Sequence, residues 1–300
     1  MPFLAAYNLY SALLRAMGDS RAPFYAVVVS SLANVALDLW FVAGLGWQVA
    51  GAAAATVLSQ GAMALFLLVY AHRRYPLLRL SLKEPLFRRE DFAQGLRFGL
   101  PPALQFSVTA GGNIALQNFM NGFGSHTVAA ITTAYRVDTI MLLPIINLGS
   151  AISTMVAQSK GAGEPQRARH FWRTGAVMNL VVSLLLMAVM LLFGGKLVAL
   201  FGVEAEAAAI GRRFFQRISL FYVFFGLACS MRGTIEGTGR VVYSSAVSIA
   251  ALLLRIALSY LLAGAFLNMA IAYAEGLHWI FMVLCFLPFF LRRDRWAQNS

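Results

Sequence analysis

The sequence predicts an all-α polytopic membrane protein with about nine transmembrane helices. Three observations carry that prediction. Hydrophobic residues make up 60% of the 300 positions against 12% charged, with a mean hydropathy of +0.71, outside the range of soluble globular chains. The apolar residues fall into long runs of Leu, Ala, Phe and Val without the polar alternation of a barrel strand. The basic residues are sorted by side along those runs.

The runs, in order, are 1–17, 24–45, 49–70, 98–119, 128–156, 175–193, 214–235, 241–266 and 269–291. Most are long enough to cross ~30 Å of hydrocarbon as helices. Within 128–156, Pro144 removes one helical hydrogen bond, and Gly111-Gly112 in 98–119 permits close packing or local unwinding. Arg136 and Asp138 are two apart and take different faces, so each needs its own partner, whereas Arg255 and Glu275 on the last two runs can pair.

A net charge of +12 suggests nucleic acid in a soluble chain, but here it describes topology. Connections after alternate runs hold eighteen basic residues, from Arg15 and Arg21 through the cluster at 73–97 to Arg292, Arg293 and Arg295. The opposite side holds four, Lys196, Arg212, Arg213 and Arg217, diluted by Glu204 and Glu206. Positive connections stay in the cytoplasm, which puts the C-terminus inside and Met1 outside. Cys229 and Cys285 lie within runs and read as packing residues, and His72, His126, His170 and His278 lie at run ends or in loops without zinc spacing. Neither a metalloenzyme nor a nucleic-acid binder fits, and no His, Ser or paired-acid set at a shared depth suggests an enzyme.

An internal echo organises the chain. Residues 15–21 end one run and open the next, and 234–240 do the same 219 positions later, each followed by a serine pair, Ser30-Ser31 and Ser244-Ser245. Repeats of equal orientation belong to transporters built from two related bundles. The expected division is 1–75 as three helices of an N-terminal lobe, 76–96 as a cytoplasmic linker and 97–300 as a six-helix C-terminal lobe. The offset implies ~120 residues, three helices and the start of a fourth, missing upstream.

Function is expected at Asp38. It sits four residues after Asn34 in a stretch, 24–45, with no other charge, so one helical face carries a carboxylate and an amide. At ~1.5 Å per residue the acid is roughly 20 Å from one end and 10 Å from the other, too deep to reach water. A mid-bilayer carboxylate costs on the order of 3 kcal/mol, so an ion or substrate pathway is the default reading, and a structural clamp is the alternative.

Residues 14–23, with Asn8 before them, resemble the loop between the fourth and fifth helices of multidrug and toxic compound extrusion transporters, the MATE family. The likeness continues through 34–42, 49–53 and Ser59-Gln60, and in the second bundle through Gly99-Leu100-Pro101, 155–163 and 236–240. The resemblance covers the whole chain and implies twin helical bundles, with the nine runs as family helices four to twelve. It implies secondary active export of organic cations or xenobiotics by antiport with sodium or protons, in a bacterial plasma membrane and without a further cofactor, with a monomer expected of the full-length chain. The resemblance carries over an amide, a carboxylate and a hydroxyl of the N-terminal lobe, matched here by Asn34, Asp38 and Thr56, whereas the family's first-helix carboxylate has no position in this sequence. Some members also use a carboxylate on the seventh helix; the corresponding run here offers Gln105, Thr109, Asn113, Gln117 and Asn118 and no acid. Candidate substrate contacts are Asn8, Gln105, Asn113, Gln117 and Asp138.

Sodium is a hard cation that takes oxygen ligands, which Asp38, the Asn34 carbonyl and the Thr56 hydroxyl can supply; protonation of Asp38 satisfies the same site. One charge crossing 100 mV supplies about 2.3 kcal/mol, enough for a concentration ratio of some tens-fold. Two rivals stand beside export: a lipid or oligosaccharide-lipid flippase, whose cavity needs several cations for phosphate, and an inactive fragment.

Overall fold

The computed structural model describes residues 2–78 and 88–291, all of whose regular structure is helical. Of the basic residues that orient the chain, Arg79, Lys83, Arg292, Arg293 and Arg295 lie outside the described residues. The chain divides into two compact units, Met1–Arg88 and Arg89–Ser300.

The first unit holds α1 (Pro2–Ala16), α2 (Arg21–Asp38), a π-helical turn (Leu39–Gly44) and α3 (Gln48–Arg74). Helix α3 packs on both α1 and α2, around Tyr10, Leu14, Ala22, Ala26, Leu67 and Ala71. Small residues on α2 let α3 approach closely, while Leu32, Val35, Val49 and Phe24 stay exposed on the outside, as expected where lipid rather than water is the solvent.

The turn between α1 and α2 is closed by Gly18 at φ +85°, with Gly18 N–H donating to the Arg15 carbonyl and Asp19 N–H to that of Leu14. The turn between α8 (Tyr222–Gly237) and α9 (Val241–Leu261) repeats the pattern: Gly239 at φ +86°, with bonds to Glu236 and Ile235. Both are Schellman ends, where only glycine is unstrained. The glycine that closes each turn is thus Gly18 in one and Gly239 in the other, two residues away from the Gly18–Gly237 match of the sequence echo; the turn at Gly163 closes in the same way, so this ending is not particular to the echo.

Asp19 locks the first turn. Its Oδ1 accepts from the Ala22 N–H at 3.2 Å, and its Oδ2 from the Tyr70 hydroxyl at 2.8 Å and the Tyr75 hydroxyl at 3.2 Å. Partial burial raises the carboxyl pKa, but these donated bonds outweigh it and hold the group below 3.8. A pKa lowered by folding contributes stability above the unfolded value that is lost as pH falls through the folded one. Asp19→Asn is expected to cost about 1 kcal/mol near neutrality and to flatten the loss of stability below about pH 4, measured by melting in detergent across pH.

The second unit contains α4 (Arg89–Asn121), α5 (Ser125–Gly161), α6 (Pro165–Ala199), α7 (Ala205–Ile218), α8, α9, the short α10 (Ala263–Phe266) and α11 (Ala270–Leu291). Helix α4 begins inside the segment expected as linker, because Glu90 and Asp91 sit in its first turn and complement the helix dipole. Helix α7 is amphipathic, burying Ile210, Phe214 and Phe215 while Arg212, Arg213 and Arg217 line its other side, and it runs through a single 3-10 turn into α8. Among the described residues seven helices are long and apolar enough to cross a membrane. The other two expected spans are weaker for different reasons: α1 has only 15 residues, and α4, with 33, carries too many polar side chains.

Packing in this unit centres on α5 against α6 and α8, with α9 bridging α4 and α11. One core surrounds Ile131, Phe214, Phe215, Tyr222 and Trp279, and a second surrounds Ile152, Val156, Ile235 and Phe286. Helix α5 runs through Pro144 as one element. Gly112 packs against Leu252, where a Cβ would come within 2.9 Å of the leucine, so this glycine serves close packing and not unwinding.

Candidate functional site

Helix α2 positions the two residues on which the sequence reading turns. Asn34 and Asp38 are one helical turn apart and partly buried, and the Nδ2 of Asn34 and the Oδ1 of Asp38 are both buried without a hydrogen-bond partner. A buried carboxylate oxygen left unpaired costs more than almost any other polar arrangement, which is why such atoms mark functional sites. Directly after Asp38 the helix widens into the π turn. There the Leu45 N–H reaches back five residues to the Trp40 carbonyl. Phe41 stacks on Trp47 with ring centroids 5.3 Å apart, and Gly51 admits Phe41 against α3. π turns of this kind occur most often at functional sites.

Thr56, on α3, is exposed and donates its hydroxyl to the Ala52 carbonyl at 2.9 Å, keeping its oxygen lone pairs. Asp38, Asn34 and Thr56 carry carboxylate, amide and hydroxyl oxygens, the donor types that a hard monovalent cation takes. The set equally fits a proton, which needs only Asp38.

The candidate substrate contacts separate. Asn8 and Asn113 are exposed, and Gln117 donates to Asn121 at 3.3 Å. Gln105 is 9% exposed and accepts from Arg232 at 3.3 Å, in a chain that continues from Arg232 to Glu236 at 2.7 Å and from Ser244 to Glu236 at 2.9 Å. Asp138 is 6% exposed and accepts a hydrogen bond from the Tyr222 hydroxyl. Among the described residues no hydrogen bond joins any two of the eight predicted site residues.

Sequence reasoning missed the tyrosines. Around Asp138 four helices of the second unit bring together Tyr135, Tyr222, Arg255, Glu275 and His278. Arg255 pairs with Glu275, donates to the Tyr135 hydroxyl at 2.9 Å and stacks 5.6 Å above the Tyr135 ring. The expected Arg255–Glu275 pairing is therefore present, while Arg136 is exposed. His278 stands inside α11, not at a run end, with Nδ1 3.9 Å from Glu275. The available signal was polar residues in apolar runs; which helix supplies each partner is not written in any single run.

The family comparison bears on this arrangement. The MatE family profile matches residues 101–261. The chain belongs to the MatE family. The probable multidrug resistance protein YoeA of Bacillus subtilis is 32% identical over 84% of this chain and 56% of the relative. A second from the same organism, the probable multidrug resistance protein YpnP, is 30% identical over 79% of this chain and 53% of the relative. The chain thus spans about half the length of the curated relatives it matches. In fold, it resembles the crystal structure of a MATE in the bent conformation with a TM-score of 0.88 and 21% identity, covering 97% of this chain and 65% of that one. Within the MatE family the polytopic helical fold read from the apolar runs is the expected one.

Proposed function

We propose that this protein exports organic cations or xenobiotics across a bacterial plasma membrane by antiport, with Asp38 exchanging the coupling cation, sodium or a proton, for the outgoing substrate. The observation that supports this most is the buried, unpartnered Oδ1 of Asp38, one turn from the unpartnered amide of Asn34 and directly before the π turn. An acid satisfied by no neighbouring guanidinium is available to a mobile cation. The names of the relatives, multidrug resistance proteins, support the substrate class. On this reading Asn34 and Thr56 orient and share the coupling cation, the C-terminus lies in the cytoplasm, and the first unit belongs to an N-terminal lobe and the second to a C-terminal lobe. A phosphate-carrying flippase is less well supported, because of the two arginines within the apolar runs Arg255 is paired with Glu275, which leaves Arg136 where several cations are needed.

The test is uptake of a cationic dye into proteoliposomes under an imposed sodium or proton gradient. Asp38→Asn is expected to reduce gradient-driven uptake at least tenfold, as loss of a coupling group does, while the melting temperature stays close to the parent's. The gradient that drives uptake names the cation. Undiminished driven uptake in the variant removes Asp38 from the mechanism.

A further inference from the structure

At the end of the second unit where α5 stops and α9 starts, a groove runs on both sides of Phe98. One part, of about 620 Å³, is lined by Gln94, Arg97, Phe98, Lys160 and the Gly237–Gly239 turn. The other, of about 510 Å³, shares Arg97, Phe98 and Gly239 and continues along α9 past Val242, Tyr243 and Ala246. Phe98 leans on the turn, its ring 3.8 Å from where a Cβ on Gly239 would stand.

The charge in this groove is of one sign. Among the described residues no carboxylate lines either part, whereas Arg97, Lys160 and Arg240 do. Lys160 uses one of its three N–H donors on the Thr238 carbonyl at 3.0 Å, and Arg97 is exposed with no ion-pair partner among the described residues. Helix α9 starts here with no side-chain cap, so the unsatisfied N–H groups of its first turn add partial positive charge at the same place. Beyond the cations the lining turns apolar, with Val242 56% exposed. This is also the end of the helices that carries most of the basic residues, the level at which lipid phosphates lie.

We infer that this groove binds an anionic phospholipid, with its phosphate held between Arg97 and Lys160 at the start of α9 and an acyl chain laid along Phe98, Val242 and Ala246. A basic head end continuous with an exposed apolar run matches that ligand and no soluble anion, which has nothing to place along α9. The site is separate from the proposed coupling residues and does not depend on them. Seated there, the lipid ties the first turns of α4 to the α8–α9 turn.

The test is retention of phosphatidylglycerol against phosphatidylcholine by the purified protein, read by native mass spectrometry. Parent protein is expected to favour phosphatidylglycerol. Each cation removed is expected to weaken retention about fivefold, so Arg97→Gln loses about fivefold and Arg97→Gln with Lys160→Gln about 25-fold. Arg167→Gln, a basic residue at the same end but outside the groove and paired with Glu164 at 3.1 Å, is expected to leave retention unchanged. Arg97 has no ion pair to lose among the described residues, so the single variant decides the matter even if the double variant folds poorly. Equal retention in Arg97→Gln and parent, or an equal loss in Arg167→Gln, overturns the proposal. Displacement of the lipid by millimolar inorganic phosphate also overturns it, in favour of a free-phosphate site.

Discussion

Arg255→Leu is expected to destabilise the second unit by about 3–5 kcal/mol, the cost of leaving a buried charge without its partner. The guanidinium and the Glu275 carboxylate are only 12% and 10% exposed, so whichever is left behind keeps a buried charge without its ionic partner. Glu275→Leu should cost a comparable amount, because it strands the cation instead. The double variant Arg255→Leu with Glu275→Leu removes both charges and is expected to recover most of the loss, since apolar side chains in place of a buried pair are often neutral. The Tyr135 hydroxyl, which takes its hydrogen bond from Arg255, keeps a smaller residual penalty. Melting in detergent gives the three values. A double variant as unstable as the sum of the singles shows that the pair does not act as one unit.

The second large effect is expected at Gly237. A Cβ there would lie 2.6 Å from the Ser153 carbonyl oxygen and 3.0 Å from Val156 Cβ, and a backbone oxygen cannot move aside as a flexible side chain can. Helices α5 and α8 meet along a line of such approaches: a Cβ on Gly149 would stand 3.0 Å from the Cys229 carbonyl. Small residues spaced four apart allow this contact in a membrane, where packing and not water exclusion drives helices together. Gly237→Ala is expected to lose about 1–3 kcal/mol by overpacking. Gly111→Ala is the control, since a Cβ there meets nothing within 4 Å. It should gain about 0.5–1 kcal/mol from helix propensity. A drop in melting temperature at both positions would assign the effect to glycine loss in general and not to the α5–α8 contact.

Much of this was legible in the chain. Helical runs follow from apolar length alone, and Asn34 and Asp38 stand out because they are the only such pair in a stretch without other charge. What sequence reading blurred were positions where one element continues into another. Helix α4 starts at Arg89 because acidic residues stabilise its first turn, although the apolar run begins later. The repeated turn aligned on the wrong glycine because Gly237 and Gly239 look alike in sequence, and only the left-handed backbone at Gly239 separates them.

By itself the sequence determined that the chain crosses a membrane as helices and that Asp38, Asp138 and Glu275 lie within the apolar runs, because hydropathy and helical spacing are local properties summed along the chain. Only the tertiary structure decided which acids are already satisfied. Asp138 receives a tyrosine from α8 and Glu275 an arginine from α9, partners 84 and 20 residues away, whereas Asp38 Oδ1 receives none. Whether a buried charge is neutralised depends on what neighbouring helices place within about 3 Å of it, and that distance is set by packing.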